Sequence, residues 1–284
     1  DAGVVERGMI DAPLPEHQAL EAFIEAMQTH HGMDLSGYAR ASLQRRVEQL
    51  ALRDGHASIE ALVKAIRRGG TSLPALVAGL SVPVTEMFRN PPIFQRLREA
   101  VLPVLASWPH ITIWQAGCAT GEEVYSLAIL LKEAGLYERS QIFATDINEA
   151  ALAKAQEGIF PAREARAWSL AYRQAGGSGS FSDYYHAAYE HIRLDSRLKA
   201  NIHFAHHNLV TDGVFCEAQL VLCRNVLIYF NRELQNAVLG RFRDSLVRGG
   251  FLCLGNRESL SFAPAAKAFV AVDAEARIYR LQTS

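Results

Sequence analysis

The sequence predicts an all-helical N-terminal domain followed by a doubly wound, mostly parallel α/β domain that carries a small antiparallel β insertion. Three observations predict it. From Pro15 to about Leu80 apolar residues recur at three- and four-residue spacing, the period of helices with one buried face. Beyond Pro91-Pro92 short apolar runs alternate with longer helical stretches, as in a parallel sheet joined by crossover helices. Residues 158–200 then interrupt the alternation with tyrosines and the run Gly176-Gly177-Ser178-Gly179-Ser180. Length agrees, since 284 residues at roughly 150 per domain make about two domains.

In the front domain, taken as residues 1–80, the stripes are Leu20, Phe23, Ile24 and Met27, then Leu43, Val47 and Leu50, then Ile59, Leu62, Val63 and Ile66. Breaks at His31-Gly32, Asp54-Gly55 and Gly69-Gly70 divide it into four or so helices. Residues 81–92 form a linker, and 93–284 the second domain. There the expected order is a strand at 111–115, a helix at 123–134, a strand at 141–145 and a helix at 148–156. A strand at 218–222 and a helix at 232–246 follow, stopped by Gly249-Gly250, then strands at 251–254 and 277–281. The interruption is read as an insertion whose strand-like runs are His191–Leu194 and Ile202–His206.

Composition excludes several classes. Lys+Arg 29 against Asp+Glu 30 gives a net charge of -1, so no global field draws in nucleic acid or an anionic membrane. No apolar run reaches the roughly 18 residues of a membrane span; the longest, Ala218–Phe230, is cut by Arg224 and Asn225. The start, with Asp1, Glu6 and Asp11, lacks the basic-then-apolar layout of a signal peptide. Cys118, Cys216, Cys223 and Cys253 form no CxxC pair, which argues against a zinc or redox motif and for free thiols in a reducing cytoplasm. Neutrality is not uniform, however. Residues 1–34 hold one Arg against seven acids, whereas 35–70 hold Arg40, Arg45, Arg46, Arg53, Lys64, Arg67 and Arg68 against Glu48, Asp54 and Glu60.

The chemistry concentrates at strand ends. The first strand runs into Gln115-Ala116-Gly117-Cys118-Ala119-Thr120-Gly121-Glu122-Glu123, a glycine turn entering a helix. Nicotinamide, flavin and S-adenosylmethionine enzymes all use such a turn. Paired carboxylates beside it would repel a pyrophosphate and welcome a cationic sulfonium and ammonium. Thr120 and Glu123 also have the spacing of a capping box. Asp146, at the next strand end, can accept from ribose hydroxyls or cap the following helix. Arg224-Asn225 follows a buried strand, where an open sheet binds its reactants and where a charge needs a partner. Tyr229 is either a core ring with its hydroxyl at the rim or part of that site.

Taken together, Thr85-Glu86-Met87-Phe88-Arg89, Ala119 to Ser126, Ala144-Thr145-Asp146-Ile147, His207-Asn208-Leu209 and Cys223 to Phe230 resemble the chemotaxis-receptor glutamate methyltransferases, the CheR family. The resemblance covers nearly the whole chain in five ordered motifs. It implies a class I S-adenosylmethionine-dependent enzyme without a metal, cytoplasmic, releasing S-adenosylhomocysteine and methyl-esterifying glutamates on the cytoplasmic helical bundle of a chemoreceptor.

Position by position, the resemblance places Thr85 and Arg89 over the cofactor, Gly117 in its turn, Glu123 on the methionine ammonium and Asp146 on the ribose. Asn208 and Leu209 flank the adenine, and Cys223, Arg224 and Tyr229 surround the departing methyl. Arg89, Arg224 and Tyr229 are the catalytic candidates. Pro83 stands where many members carry an Asn on the cofactor, and proline offers neither a polar side chain nor an N–H. A basic helical face of Arg40, Arg45, Arg46 and Arg53 would meet the acidic receptor helices, unless it is simply solvated. Members that dock on a receptor's C-terminal tether peptide carry a glycine-rich loop in the insertion. The matching stretch here, Tyr185–His191, has no glycine, so independence of a tether is expected.

Overall fold

The structure, a computed structural model, describes residues 16–282; the expected beginning of the front domain, with Asp1, Glu6 and Asp11, lies outside the described residues. Four helices come first: α1 Glu16–His31, α2 Arg40–Arg53, α3 Ile59–Arg67 and α4 Leu73–Leu80. Their stripes meet in one apolar cluster that includes Phe23, Met27, Leu43, Val47, Leu62, Ile66 and Leu76. The N-cap hydroxyls of Ser58 and Ser72 accept from the N–H groups of Ala61 and Ala75 at 3.3 and 3.4 Å, which starts α3 and α4 where the sequence turns apolar.

The linker leads into α5 Pro91–Arg96, continued through a π-helical turn into α6 Leu102–Leu105. Then follow β1 Ile111–Ala116, α7 Glu122–Glu133, β2 Ser140–Asp146, α8 Glu149–Glu157, β3 Ile159–Pro161, α9 Ala165–Gln174, β4 Tyr185–Ala188, β5 His191–Leu194, β6 Ile202–His206 and β7 Ala218–Cys223. The chain closes with α10 Arg232–Ser245, β8 Leu246–Leu254, β9 Phe269–Asp273 and β10 Ile278–Leu281. The main sheet has seven strands in the order β6-β2-β1-β7-β8-β10-β9, and β3-β5-β4 form a separate antiparallel sheet. The first five strands of the main sheet are parallel; β10 runs antiparallel to them, and β9, antiparallel to β10, returns to their direction. From β1 the chain moves outward to β2 and β6, then returns to β7 on the other side of β1. That reversal opens a crevice at the carboxyl ends of β1 and β7.

Four expectations need correction. Ile202–His206 is not part of the insertion: it pairs in parallel with β2, Ile142 against Ile202 through Asp146 against His206, because the polypeptide has already crossed back to the main sheet. Gly249-Gly250 does not stop a helix. It lies inside β8, whose pairing with β7 jumps from Ala218↔Leu246 to Leu220↔Phe251, so the glycines form a bulge, with Gly249 at φ 76°. The insertion also contains α9, with Trp168 and Tyr172 buried four residues apart. Finally, β9 precedes the last strand and pairs with it; its Phe-Val-Ala-Val-Asp run is bounded by alanines rather than by turn residues.

Candidate functional site

The glycine turn after β1 combines a left-handed local backbone with close tertiary packing. Gly117 (φ 74°) and Gly121 (φ 91°) occupy the left-handed region, and a Cβ on them would lie 2.4 Å from Val226 Cγ2 and 2.8 Å from Ala155 Cβ. Glycine is required there on both counts. Thr120 does not cap α7. Gly121 is the N-cap, no side chain caps it, and the Thr120 hydroxyl donates instead to Glu122 Oε2 at 2.6 Å. Asp146 is not the cap of α8 either, since Asn148 takes that place. The Asp146 carboxylate bridges two turns: Oδ2 accepts from Ala119 N at 2.8 Å and Oδ1 from Asn148 N at 2.9 Å. Ala119 is itself left-handed (φ 47°), a conformation that this bond holds.

Behind the turn lies a buried charge pair. Arg224 Nη1 meets Glu123 Oε2 at 2.5 Å, with side chains 1% and 8% exposed. The same nitrogen donates to the Arg89 carbonyl at 3.2 Å, and Gln115 Nε2 donates to Glu123 Oε1 at 2.9 Å. Glu123, expected on a ligand ammonium, is thus already partnered, and its remaining lone pairs are what it can offer a cation. Burial pushes the neighbouring Glu122 up to about 7, against the lowering effect of the Thr120 hydrogen bond. Between about pH 4.5 and 7 the folded chain keeps a proton that the unfolded chain has lost. Stability therefore falls as pH rises through that window, by about 3 kcal/mol in full. Glu122→Gln is expected to stabilise the chain by about 2–3 kcal/mol at pH 8 and by under about 1 kcal/mol at pH 5, read by urea unfolding. Equal gains at both pH values would mean that the carboxyl is not titrating there.

The front domain closes the crevice. Ala39 N donates to the Tyr229 carbonyl at 2.9 Å, Asn231 N to the Gly37 carbonyl at 2.8 Å, and the Tyr38 and Phe230 rings meet edge to face at 5.2 Å. Between the two units lies a cleft of about 1180 Å³, counting its open mouth. Thr85, Arg89, Gly117, Glu123, Asp146, Asn208, Leu209, Arg224 and Tyr229 all line it. So do Val82, Pro83 and Val84 of the linker.

Two expected residues behave otherwise. Cys223 is fully buried in the sheet and does not line the cleft, because the last residue of β7 points into the core and the cleft begins with Arg224; Cys118 lines it instead. Arg46 is not on the exposed basic face with Arg40, Arg45 and Arg53. It is 7% exposed, its guanidinium lies 4.6 Å over the Tyr229 ring, and it donates to the carbonyls of Ser42 and Leu80 at 3.2 and 3.1 Å. Arg40 pairs with Glu21 at 3.2 Å and Arg67 with Glu25 at 3.7 Å. Part of the acidic start therefore neutralises part of the basic half.

Four buried polar atoms without hydrogen-bond partners belong to residues of the cleft wall: Gln115 Oε1, His207 Nδ1, Arg224 Nε and Arg46 Nη2. Unpaired buried polar atoms are costly, so side chains that carry them in a cleft wall are candidates for ligand contacts. Gln115, His207 and the inward turn of Arg46 were not expected from sequence. Arg46 alone had a readable signal, since it falls on the stripe of Leu43, Val47 and Leu50.

A seven-stranded sheet whose one antiparallel strand, β10, lies next to its edge strand β9, and a crevice with an acid at the end of its second strand, make this a class I S-adenosylmethionine-dependent methyltransferase fold. Family models agree: the CheR methyltransferase SAM-binding domain matches residues 83–276 and the CheR methyltransferase all-alpha domain matches residues 18–81. The chain belongs to the CheR methyltransferase family. It is 44% identical over 261 residues to the Pseudomonas putida methyltransferase Cher3, covering 92% of this chain and 96% of that protein. It is 28% identical to a chemotaxis protein methyltransferase of Listeria monocytogenes, over 84% of this chain and 88% of that one. The corresponding figures for chemotaxis protein methyltransferase 1 of Pseudomonas aeruginosa are 29%, 86% and 91%. S-adenosylmethionine is the cofactor, and the chain is a methyltransferase of this family. Among the described residues no helix is long and apolar enough to cross a membrane.

Proposed function

We propose that this protein is a cytoplasmic glutamate O-methyltransferase that esterifies side-chain carboxylates on the helical bundle of a chemoreceptor. One observation carries the reading. The Arg46 guanidinium is buried, pairs with no carboxylate among the described residues and has Nη2 unpartnered, on a side chain that lines the cleft. A buried cation without a counter-ion favours an anion next to it, and an acceptor glutamate brings one.

The residues fit the cofactor. Asp146 keeps lone pairs free for ribose hydroxyls, Gln115 Oε1 and Glu123 accept from an ammonium, and Asn208 and Leu209 flank the base. Thr85 and Arg89 lie over the site from the linker. When bound, S-adenosylmethionine supplies an electrophilic methyl group. The acceptor carboxylate is ionised near neutral pH, so the chain needs no general base, and positioning is its main task. Arg46 and Arg224 would orient the carboxylate by charge-assisted hydrogen bonds. Tyr229, whose ring packs under Arg46 and whose hydroxyl has no hydrogen-bond partner among the described residues, is the third candidate at the acceptor.

Transfer of labelled methyl from S-adenosylmethionine to a receptor cytoplasmic fragment, released as methanol by base, tests the reading. Label that resists base, or no label, refutes it. The exposed residues Arg40, Arg45 and Arg53 are proposed to meet the receptor's acidic helices. Reversing all three to Glu is expected to lower kcat/KM for the receptor at least 10-fold with S-adenosylhomocysteine affinity unchanged; an unaltered kcat/KM removes this face from recognition. The reading includes independence of a tether peptide, because the β4–β5 turn is Tyr189-Glu190, without glycine.

A further inference from the structure

Glu258 follows β8 and is 4% exposed. Its Oε2 accepts from Gly255 N at 2.6 Å and Asn225 N at 3.1 Å, and its Oε1 accepts from Val226 N and Leu227 N at 2.8 Å each. No Lys or Arg pairs with it among the described residues, so backbone dipoles alone balance the carboxylate. Three of the four donors lie in one loop. That loop begins at Arg224, which reaches Glu123, and leads through the short 3-10 turn Leu227–Tyr229 to the ring beneath Arg46. Asn225 sits in the left-handed region at φ 61°, which Asn tolerates better than other residues with a Cβ and which the four bonds to Glu258 fix in place. Among the described residues, the N–H groups of 225, 226 and 227 have no hydrogen-bond acceptor besides Glu258. Gly255 makes the approach possible, because a Cβ there would lie 2.7 Å from Glu258 Oε2 and 2.8 Å from Asn225 N.

We infer that Glu258 is a positioning residue for methyl transfer: it pins the loop after β7 in a left-handed turn, and so sets Arg224 against Glu123 and Tyr229 against Arg46. The role rests on the proposed function of Arg224 and Tyr229 at the acceptor. Glu258 itself does not line the cleft, so any effect on turnover must pass through the loop.

The test uses the full chain with Glu258→Gln and Glu258→Ala. The Gln variant keeps an oxygen for Val226 and Leu227 and turns an amide N–H toward the donors of Gly255 and Asn225. It is expected to fold, to bind S-adenosylhomocysteine within fivefold of the parent, and to keep the KM for a receptor fragment within threefold. Its kcat is expected to fall at least 20-fold, and the Asn225 amide to exchange with solvent at least 10-fold faster. A purely structural carboxylate would lower the melting temperature and leave kcat of the folded variant alone; kcat within twofold of the parent overturns the inference. If the Ala variant does not fold, the Gln variant decides. A parent chain that methylates no receptor glutamate sinks the functional reading, whereas an active parent with an equally active Gln variant sinks only the role of Glu258.

Discussion

Asp146→Ala is expected to lower the affinity for S-adenosylhomocysteine at least 100-fold, measured by calorimetry, and to abolish methyl transfer at cofactor concentrations that saturate the parent. The carboxylate serves two ends. In the proposed reading it accepts from ribose hydroxyls, and in the structure it ties the glycine turn at Ala119 to the start of α8 at Asn148. A hydrogen bond to a charged group contributes roughly 1.5–3 kcal/mol. Loss of two such bonds to the ligand accounts for the effect, since a 100-fold change corresponds to about 2.7 kcal/mol. Loosening of the turn adds to it, because the bond that Ala119 N donates to Asp146 Oδ2 holds Ala119 in its left-handed backbone. Asp146→Asn, which retains one acceptor oxygen, should fall between. A folded Ala variant that binds S-adenosylhomocysteine within threefold of the parent would remove Asp146 from the cofactor site.

Breaking the Arg224–Glu123 pair is the second large effect. Arg224→Met leaves the Glu123 carboxylate buried with Gln115 as its remaining partner, and orphaning one member of a buried pair costs about 3–5 kcal/mol. Replacing both, Arg224→Met with Glu123→Gln, removes both charges together and is expected to restore most of that stability, with a coupling of at least about 2 kcal/mol in the double-mutant cycle. Methyl transfer should not return. The recovered stability and the lost activity separate what the pair does for the fold from what the arginine does for the acceptor. A single Arg224→Met variant within about 1 kcal/mol of the parent would mean that water reaches Glu123 and the pair is not buried in solution.

The legible part of the site is the part written locally. A strand, a glycine turn and a helix over 111–133 lie within one short stretch, and the glycines are required by left-handed backbone angles within that stretch. Strand ends at Asp146 and Arg224 were readable because polar residues directly follow apolar runs. The ordered motifs of the resemblance extended this to Thr85, Arg89, Asn208 and Leu209, all of which the structure brings to one cleft.

The misread part depended on which neighbour a residue faces. By charge alone Arg46 groups with Arg40, Arg45 and Arg53, although one residue along a helix rotates a side chain by about 100°. It takes the buried stripe of Leu43, Val47 and Leu50, while Arg45 faces solvent. Cys223 lay in the right motif on the wrong side of the sheet, since alternation along β7 sends consecutive side chains to opposite faces. Ile202–His206 looked like insertion because its sequence neighbours are, and only pairing with β2 assigns it to the main sheet.

By itself, then, the sequence determined the helical front, the α/β grammar, the glycine turn and the acids and arginine at strand ends, because periodicity, backbone angle and capping act over a few residues. Only the tertiary structure decided that Arg46 reaches in from the front domain, that Glu123 is already paired with Arg224 across 101 positions, and that Glu258 accepts from the loop between Arg224 and Tyr229. A buried charge or N–H must find its partner in space, and chain distance says nothing about where that partner will be.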